Sequence, residues 1–434
     1  MIDFSIAHGA AGLQPVAVGV RFKKHKYCDK KVAKEFQKGR ITLYKLPDRL
    51  LYVGRGMGIK YLHQRRNSFD KYQLFDPWRD KKSVELTGMK HHMGNFHGDR
   101  RQSHIKECME IWDSGALQLA RGKADFIDPE SYGHALKNLN TFGGVTIDFL
   151  PSRYDHSEGI ERAKLYARLQ KLNTMEIRKF SGDTRILNAV HGFTPHYRQV
   201  WLNHAIENNK DNSWCLSDIN RTKSNMEKSK LLLSDFFTLK KLTKNFDESW
   251  FHILGMATHK YMAVILLLTP FVKKVTADAV SAFKYSTSGT MLYPSHECKI
   301  VSTRLRRTPN YCDLPTPCNC SMCELVGNVW AYSTDYYLLS WHNVSVINKN
   351  LDFLTQVFVN EGFDGYVNYL AKAEWEQDML DVIRFTWKEL NKGGNSYSSE
   401  THLMNSFTLY TSPRQHINNA LIKNYIKYFR EKYS

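Results

Sequence analysis

The chain lacks an apolar run long enough to cross a bilayer. Its longest apolar stretch, Tyr261 to Val272, is short and interrupted. The N-terminal residues carry no basic segment ahead of an apolar one, so they do not read as a secretory leader. A disulfide framework is also missing. There are eight cysteines, but five of them crowd between 298 and 323 instead of spreading along the chain. These absences together predict a cytoplasmic protein with no membrane partner. Internal sequence repeats are absent as well. Gly54-Arg-Gly56-Met-Gly58 lacks the strand-to-helix frame and acidic partner of a dinucleotide site.

Acidic residues are under-represented. The chain has 61 Lys and Arg against 43 Asp and Glu, a formal charge of +18. An excess of that size favours a polyanionic partner, because each cation that neutralises a phosphate releases a counterion. Arg304, Arg306 and Arg307 are candidate phosphate contacts; a solvated basic face is the alternative.

From residue 109 onward, short apolar runs end in a polar residue or glycine and helical patterns follow. The runs are Met109–Trp112 before Asp113, Gly144–Ile147 before Asp148, Ile186–Val190 before His191, Trp214–Leu216 before Ser217, Phe251–Leu254 before Gly255, and Lys274–Ala277 before Asp278. Their ends recur every 23 to 43 residues, the interval of strand-then-helix units with parallel strands. Six units, with strand-like runs at Pro15–Val20 and Leu50–Val53, predict an α/β fold of the (β/α)8 TIM-barrel type. A doubly wound sheet is the alternative. In a barrel the polar residues would share the C-terminal rim, where active sites lie. Residues 1–100 are expected to start the barrel with basic insertions, and 101–350 to form its main part. Residues 351–434 read as a helical C-terminal appendage.

Cys318-x-Cys320-x-x-Cys323 is the most specific local signal, with His342 19 residues further on. Three thiolates and an imidazole make a closed tetrahedral set, hence a structural Zn2+ site, inserted within 298–345. Cys312 is the alternative to Cys318.

The zinc pattern and the strand ends together resemble the tRNA-guanine transglycosylase superfamily. Asp113-Ser114-Gly115-Ala116-Leu117-Gln118 resembles its Asp-Ser-Gly-Gly-Phe-Gln. Asp128-Pro129-Glu130 covers its Pro-Glu. Ile147-Asp148 matches the strand end that bears the base-recognising aspartate. Val190-His191-Gly192 resembles Val-Gln-Gly, with histidine for glutamine. Leu254-Gly255-Met256-Ala257-Thr258 is similar to Met-Gly-Val-Gly-Thr. The stretch from Asp278 to Tyr285 resembles the segment that opens on the nucleophile, and His342-Asn343 matches the family's His-Asn pair. The likeness covers roughly residues 105–350. The family's glycine-rich base loop is not recognisable; Trp214–Asp218 occupies its slot. The basic charge and altered base loop look most like the phage and bacterial DNA-guanine transglycosylases, which insert 7-deazaguanines such as preQ0.

The resemblance implies Asp278 as nucleophile and Asp113 as general acid/base. It implies Asp148 as acceptor for the N1–H and 2-amino edge of guanine, with Ser114, His191, Gly192 and Gly255 lining the pocket. The expected partners are DNA and a free 7-deazaguanine base, with room for a homodimer. The alternatives are the same exchange on tRNA and a non-catalytic nucleic-acid-binding subunit of the same fold.

Overall fold

A computed structural model describes residues 2–7, 51–54, 109–114, 116, 126–138, 143–150, 159–192, 195–206, 212–222, 224–279, 285–286, 288–294, 300–304, 316, 318–320, 323, 329, 332, 336–392 and 419–433. Pro15–Val20, Cys312, Arg306 and Arg307, named above, lie outside the described residues.

The fold is mixed α/β. Its centre is a half-barrel of five parallel strands: β4 (Gly143–Val145), β5 (Arg185–Val190), β6 (Ser213–Leu216), β7 (Trp250–Ile253) and β8 (Lys274–Ala279). Three further strands continue the parallel pairing: β3 (Met109–Trp112) on β4, β2 (Leu51–Gly54) on β3, and β1 (Ile2–Ala7) beside both β2 and β8. Helices follow the strands as crossovers: α1 (Pro129–Asn138), α2 (Gly159–Phe180), α3 (Pro195–Ala205), α4 (Asn225–Leu242) and α5 (His259–Ile265). An antiparallel pair, β9 (Thr290–Pro294) and β10 (Ile300–Arg304), comes after β8. Three more helices are described after it: α6 (Tyr336–Lys372), α7 (Gln377–Asn391) and α8 (Asn419–Tyr433).

The expected strand runs fall within a few residues of β3 to β8. The Asp278 strand runs on to Ala279 and carries Asp278 inside it, while β4 stops at Val145, two residues short of its expected end. Strand β1 at Ile2–Ala7 is not among the runs read from the sequence. The helical extension expected from 351 lies within a helix that already begins at Tyr336 and is broken at Gly362, where φ is 69°.

Local signals explain the element ends. Ser224 caps α4 by accepting from the Glu227 amide, and Glu227 bonds back to the Ser224 amide. Thr258 caps α5 in the same way through Tyr261 N–H. Helix α4 buries Leu231, Leu232, Leu233, Phe236 and Leu239 between sheet and α7. Each such side chain contributes about 1.5–3 kcal/mol by leaving water. A separate inner cluster of Ile111, Val145, Leu187, Ala189, Cys215 and Trp250 fills the concave side of the sheet.

Helix α8 returns to the start of the domain. Tyr425 Oη accepts from Ile127 N (3.0 Å) and donates to Ile127 O (2.9 Å), and Lys432 pairs with Glu176 and Glu130. Ile127, two residues before α1, is thereby pinned by α8. Among the described residues no helix is long and apolar enough to cross a membrane.

Candidate active site and metal centre

Three of the expected site residues meet in one buried set at the C-terminal ends of β3, β4 and β5. Asp148 follows β4, with Ile147 O held by Asn173 Nδ2 from α2 at 2.9 Å. Its Oδ1 accepts from the Ser114 hydroxyl, and its Oδ2 lies 2.5 Å from His191 Nε2. The other imidazole nitrogen, Nδ1, is 3.0 Å from Asp218 Oδ2. All four side chains are nearly inaccessible to water.

A histidine between two carboxylates must carry both protons to satisfy both. Burial alone would lower its pKa, but the bonds to Asp148 and Asp218 outweigh it and raise the value to about 9. His191 is therefore an imidazolium at neutral pH. Its ionic contribution to stability is fully present below the ordinary histidine pKa and is lost as pH rises through about 9.

Asp218 is the residue that sequence reading missed. It lies just past Ser217, the expected end of its strand, in the left-handed region (φ 65°) that aspartate tolerates better than most residues. Besides His191 it accepts from Gly192 N–H at 3.3 Å. Gly192 itself has φ +123°, and a Cβ there would meet Tyr197 Cδ1 at 2.5 Å. The expected pocket glycine thus serves a tight strand exit.

Arg198 of α3 holds these loops from behind. Its Nη1 donates to Gly192 O (3.0 Å) and Ser217 O (2.7 Å), while the rest of the guanidinium pairs with Asp235 of α4. Both partners are buried. Removing one leaves the other charged and unpaired, so Arg198→Met should lower stability by about 3–5 kcal/mol. The joint replacement Arg198→Met with Asp235→Leu should recover most of that loss. Urea midpoints of the two proteins check this, and equal midpoints would contradict it.

Asp278 lies across the sheet on β8 and is buried. Gly255 N–H donates to its Oδ1 at 2.5 Å. Gly255 has φ +72°, and any Cβ there would run into Asn220. Burial pushes the Asp278 carboxyl up to about 7, with the charge of Asp113 adding to the rise and the Gly255 amide opposing it. Asp113, just past β3, is half-buried.

All three expected aspartates act electrostatically on one buried group. The Cys215 thiol on β6 is pushed well above the ordinary range, first by desolvation and then by Asp148, Asp113 and Asp278. On the neighbouring strand β7, His252 has Nδ1 2.8 Å from Thr276 Oγ1 and Nε2 4.0 Å from Asp278 Oδ1. Sequence reading also missed His252.

The metal-ligand set is brought together by the structure. The ligand atoms of Cys318, Cys320, Cys323 and His342 all lie within 4.8 Å of one another. His342 Nδ1 is 3.7, 3.5 and 3.3 Å from the three sulfurs in that order, and Cys318 Sγ is 3.5 Å from Cys323 Sγ. Ligands about 2.3 Å from a tetrahedral ion sit roughly 3.8 Å apart, so this cluster could hold a metal ion such as zinc. His342 Nε2 donates to Leu292 O at 2.7 Å, which leaves the Nδ1 lone pair for the ion. Tyr332 Oη donates to Cys323 Sγ at 3.2 Å. Asn343 bonds Leu292 N, Thr290 O and Ser286 Oγ, so the His-Asn pair staples β9 to α6.

Of the expected phosphate contacts, Arg304 ends β10, in register with Thr290. Compared with protein-family models and with curated proteins, the chain matches none.

Proposed function

We propose that the protein is a base-exchange transglycosylase that replaces guanine in DNA with a 7-deazaguanine of the preQ0 type. The observation that carries this reading is the buried Ser114–Asp148–His191–Asp218 set at the strand ends, with a second buried carboxylate, Asp278, on β8 of the same sheet. It agrees in residue type and strand position with the transglycosylase resemblance. A full (β/α)8 barrel is part of the proposal, supported by β1 pairing with both β2 and β8.

In this reading an Asp278 oxygen attacks C1′ of the sugar as the bond to N9 breaks. The electron pair leaves with guanine, which takes a proton from Asp113. The incoming base loses its N9 proton to Asp113 and attacks C1′, releasing Asp278. Two displacements retain the configuration at C1′. Asp148 receives the base: each of its oxygens keeps a lone pair beyond those used by Ser114 and His191, enough for N1–H and the 2-amino group. The imidazolium of His191 holds that carboxylate in place. Since a paired base cannot reach a buried site, the target nucleotide is flipped or single-stranded.

The ion at the Cys3His set is proposed to be zinc in a structural role, because four protein ligands leave no open position. The +18 charge supports a nucleic-acid substrate. The test is incubation with duplex DNA, single-stranded DNA and tRNA beside labelled preQ0 and labelled guanine. Label entering DNA is expected. Label confined to tRNA would move the substrate to tRNA, and label in neither would overturn the enzymatic reading.

A further inference from the structure

We propose that His252 is a positioning residue for Asp278: a neutral imidazole whose Nε2–H points at the carboxylate and holds it once it ionises. The argument begins one layer below, at Thr276. Trp250 Nε1 can only donate, and it lies 2.9 Å from Thr276 Oγ1. The threonine hydroxyl then has one proton and two acceptors in reach, His252 Nδ1 at 2.8 Å and Phe251 O at 3.4 Å. The shorter bond takes the proton. Nδ1 is then the acceptor nitrogen and the ring proton sits on Nε2.

Nε2 is buried and has no hydrogen-bond partner among the described residues. The carboxylate facing it is Asp278, with Oδ1 4.0 Å away. A water bonded to both atoms, with its usual bend, would hold them about 4.5 Å apart, so the 4.0 Å gap is too short for one. A shift of about 1 Å makes the bond direct. An orphaned buried donor is costly, which argues that this one is kept for a state in which its acceptor is charged.

The imidazole stays neutral. Burial lowers its pKa to about 3, so it adds no competing cation. Among the described residues, the titratable groups that act on Asp278 are Asp113 past β3, Cys215 on β6 and His252 on β7. Asp113 opposes ionisation of Asp278, and a neutral donor at His252 favours it.

The catalytic consequence rests on the reading of Asp278 as nucleophile; the tautomer and the titration do not. Nitrogen-15 spectra of the unmutated protein should show the Nε2–H form at His252, and the Nδ1–H form would overturn the proposal. His252→Leu should raise the Asp278 titration, followed by carbon-13 carboxyl shifts, by about one pH unit, a tenfold loss of ionised carboxylate at fixed pH. His252→Gln, which restores an N–H at similar reach, should bring it back. The acid limb of the exchange pH profile should move in the same two steps. A titration unmoved in the leucine variant sinks the proposal. An unmutated protein that exchanges no base sinks the transglycosylase reading instead, and leaves both spectra to decide His252.

Discussion

Replacing Asp278 by asparagine is expected to lower base exchange by roughly 10^4-fold or more, while nucleic-acid binding changes little. Removal of a covalent nucleophile eliminates the step itself, and losses of that order follow when such groups are deleted. The amide oxygen of asparagine can still accept from Gly255 N–H, so the strand end should keep its shape. The pH dependence gives the prediction a second edge. Attack requires the carboxylate, and the Asp278 pKa is pushed up to about 7, so activity should rise as pH passes through about 7. It should fall again near 9, where His191 gives up the proton that ties Asp148 to Asp218. On the acid limb, the contribution of Asp278 to stability should move the opposite way from activity. Because the folded-state pKa of Asp278 is raised above the ordinary 3.8, the unfolded chain ionises first. Stability is lost as pH rises from about 4 to about 7. Asp278→Asn removes that penalty, so at pH 8 the inactive variant should unfold at the same or higher urea concentration than the parent. A variant that is inactive because it is unfolded would show a lower midpoint, and the nucleophile assignment would lose its support.

The half-barrel and its rim were legible in the sequence because each strand is a short buried run with an abrupt polar end. Asp113, Asp148, His191 and Asp278 could be picked out on that basis. What escaped was fixed by contacts between segments far apart. Asp218 lies past an apparent strand end, and only the closure of His191 onto it gives it a role. His252 is embedded in the apolar run Trp250-Phe251-His252-Ile253, where a lone histidine reads as a packed side chain. Its significance depends on Thr276 and Asp278 of the next strand. The Arg198–Asp235 pair joins two helices and leaves no trace in local pattern. Helix α6 starts at Tyr336, well before 351, and its first turns carry His342 and Asn343. Sequence showed the ligand spacing of that cluster, but not that it fastens β9 to α6.

Stripping the metal should have the largest effect on the fold. Structural zinc sites of this donor set contribute about 10–16 kcal/mol of apparent binding energy at neutral pH. Here the four ligands come from two places in the chain: the segment carrying Cys318, Cys320 and Cys323, and helix α6 carrying His342. Without the cation, Cys320, Cys323 and His342 remain buried side by side with their charge or protons unshared. His342 would then be held by its Leu292 bond alone, beside the Asn343 bonds to Ser286, Thr290 and Leu292. Those bonds are neutral and worth about 1 kcal/mol each. The segment from Ser286 to His342 should therefore loosen first, directly downstream of the strand that carries Asp278. We expect chelation to lower Tm by about 10 °C or more, since each kcal/mol moves Tm by roughly 2–4 °C in a domain of this size. Activity should fall with it, and both should return when zinc is restored. Cys320→Ser should reproduce the loss without chelator, with bound zinc near zero by metal analysis. A Cys320→Ser protein with parental zinc content and parental Tm would show that the cluster is a packed group of thiols and not a metal centre.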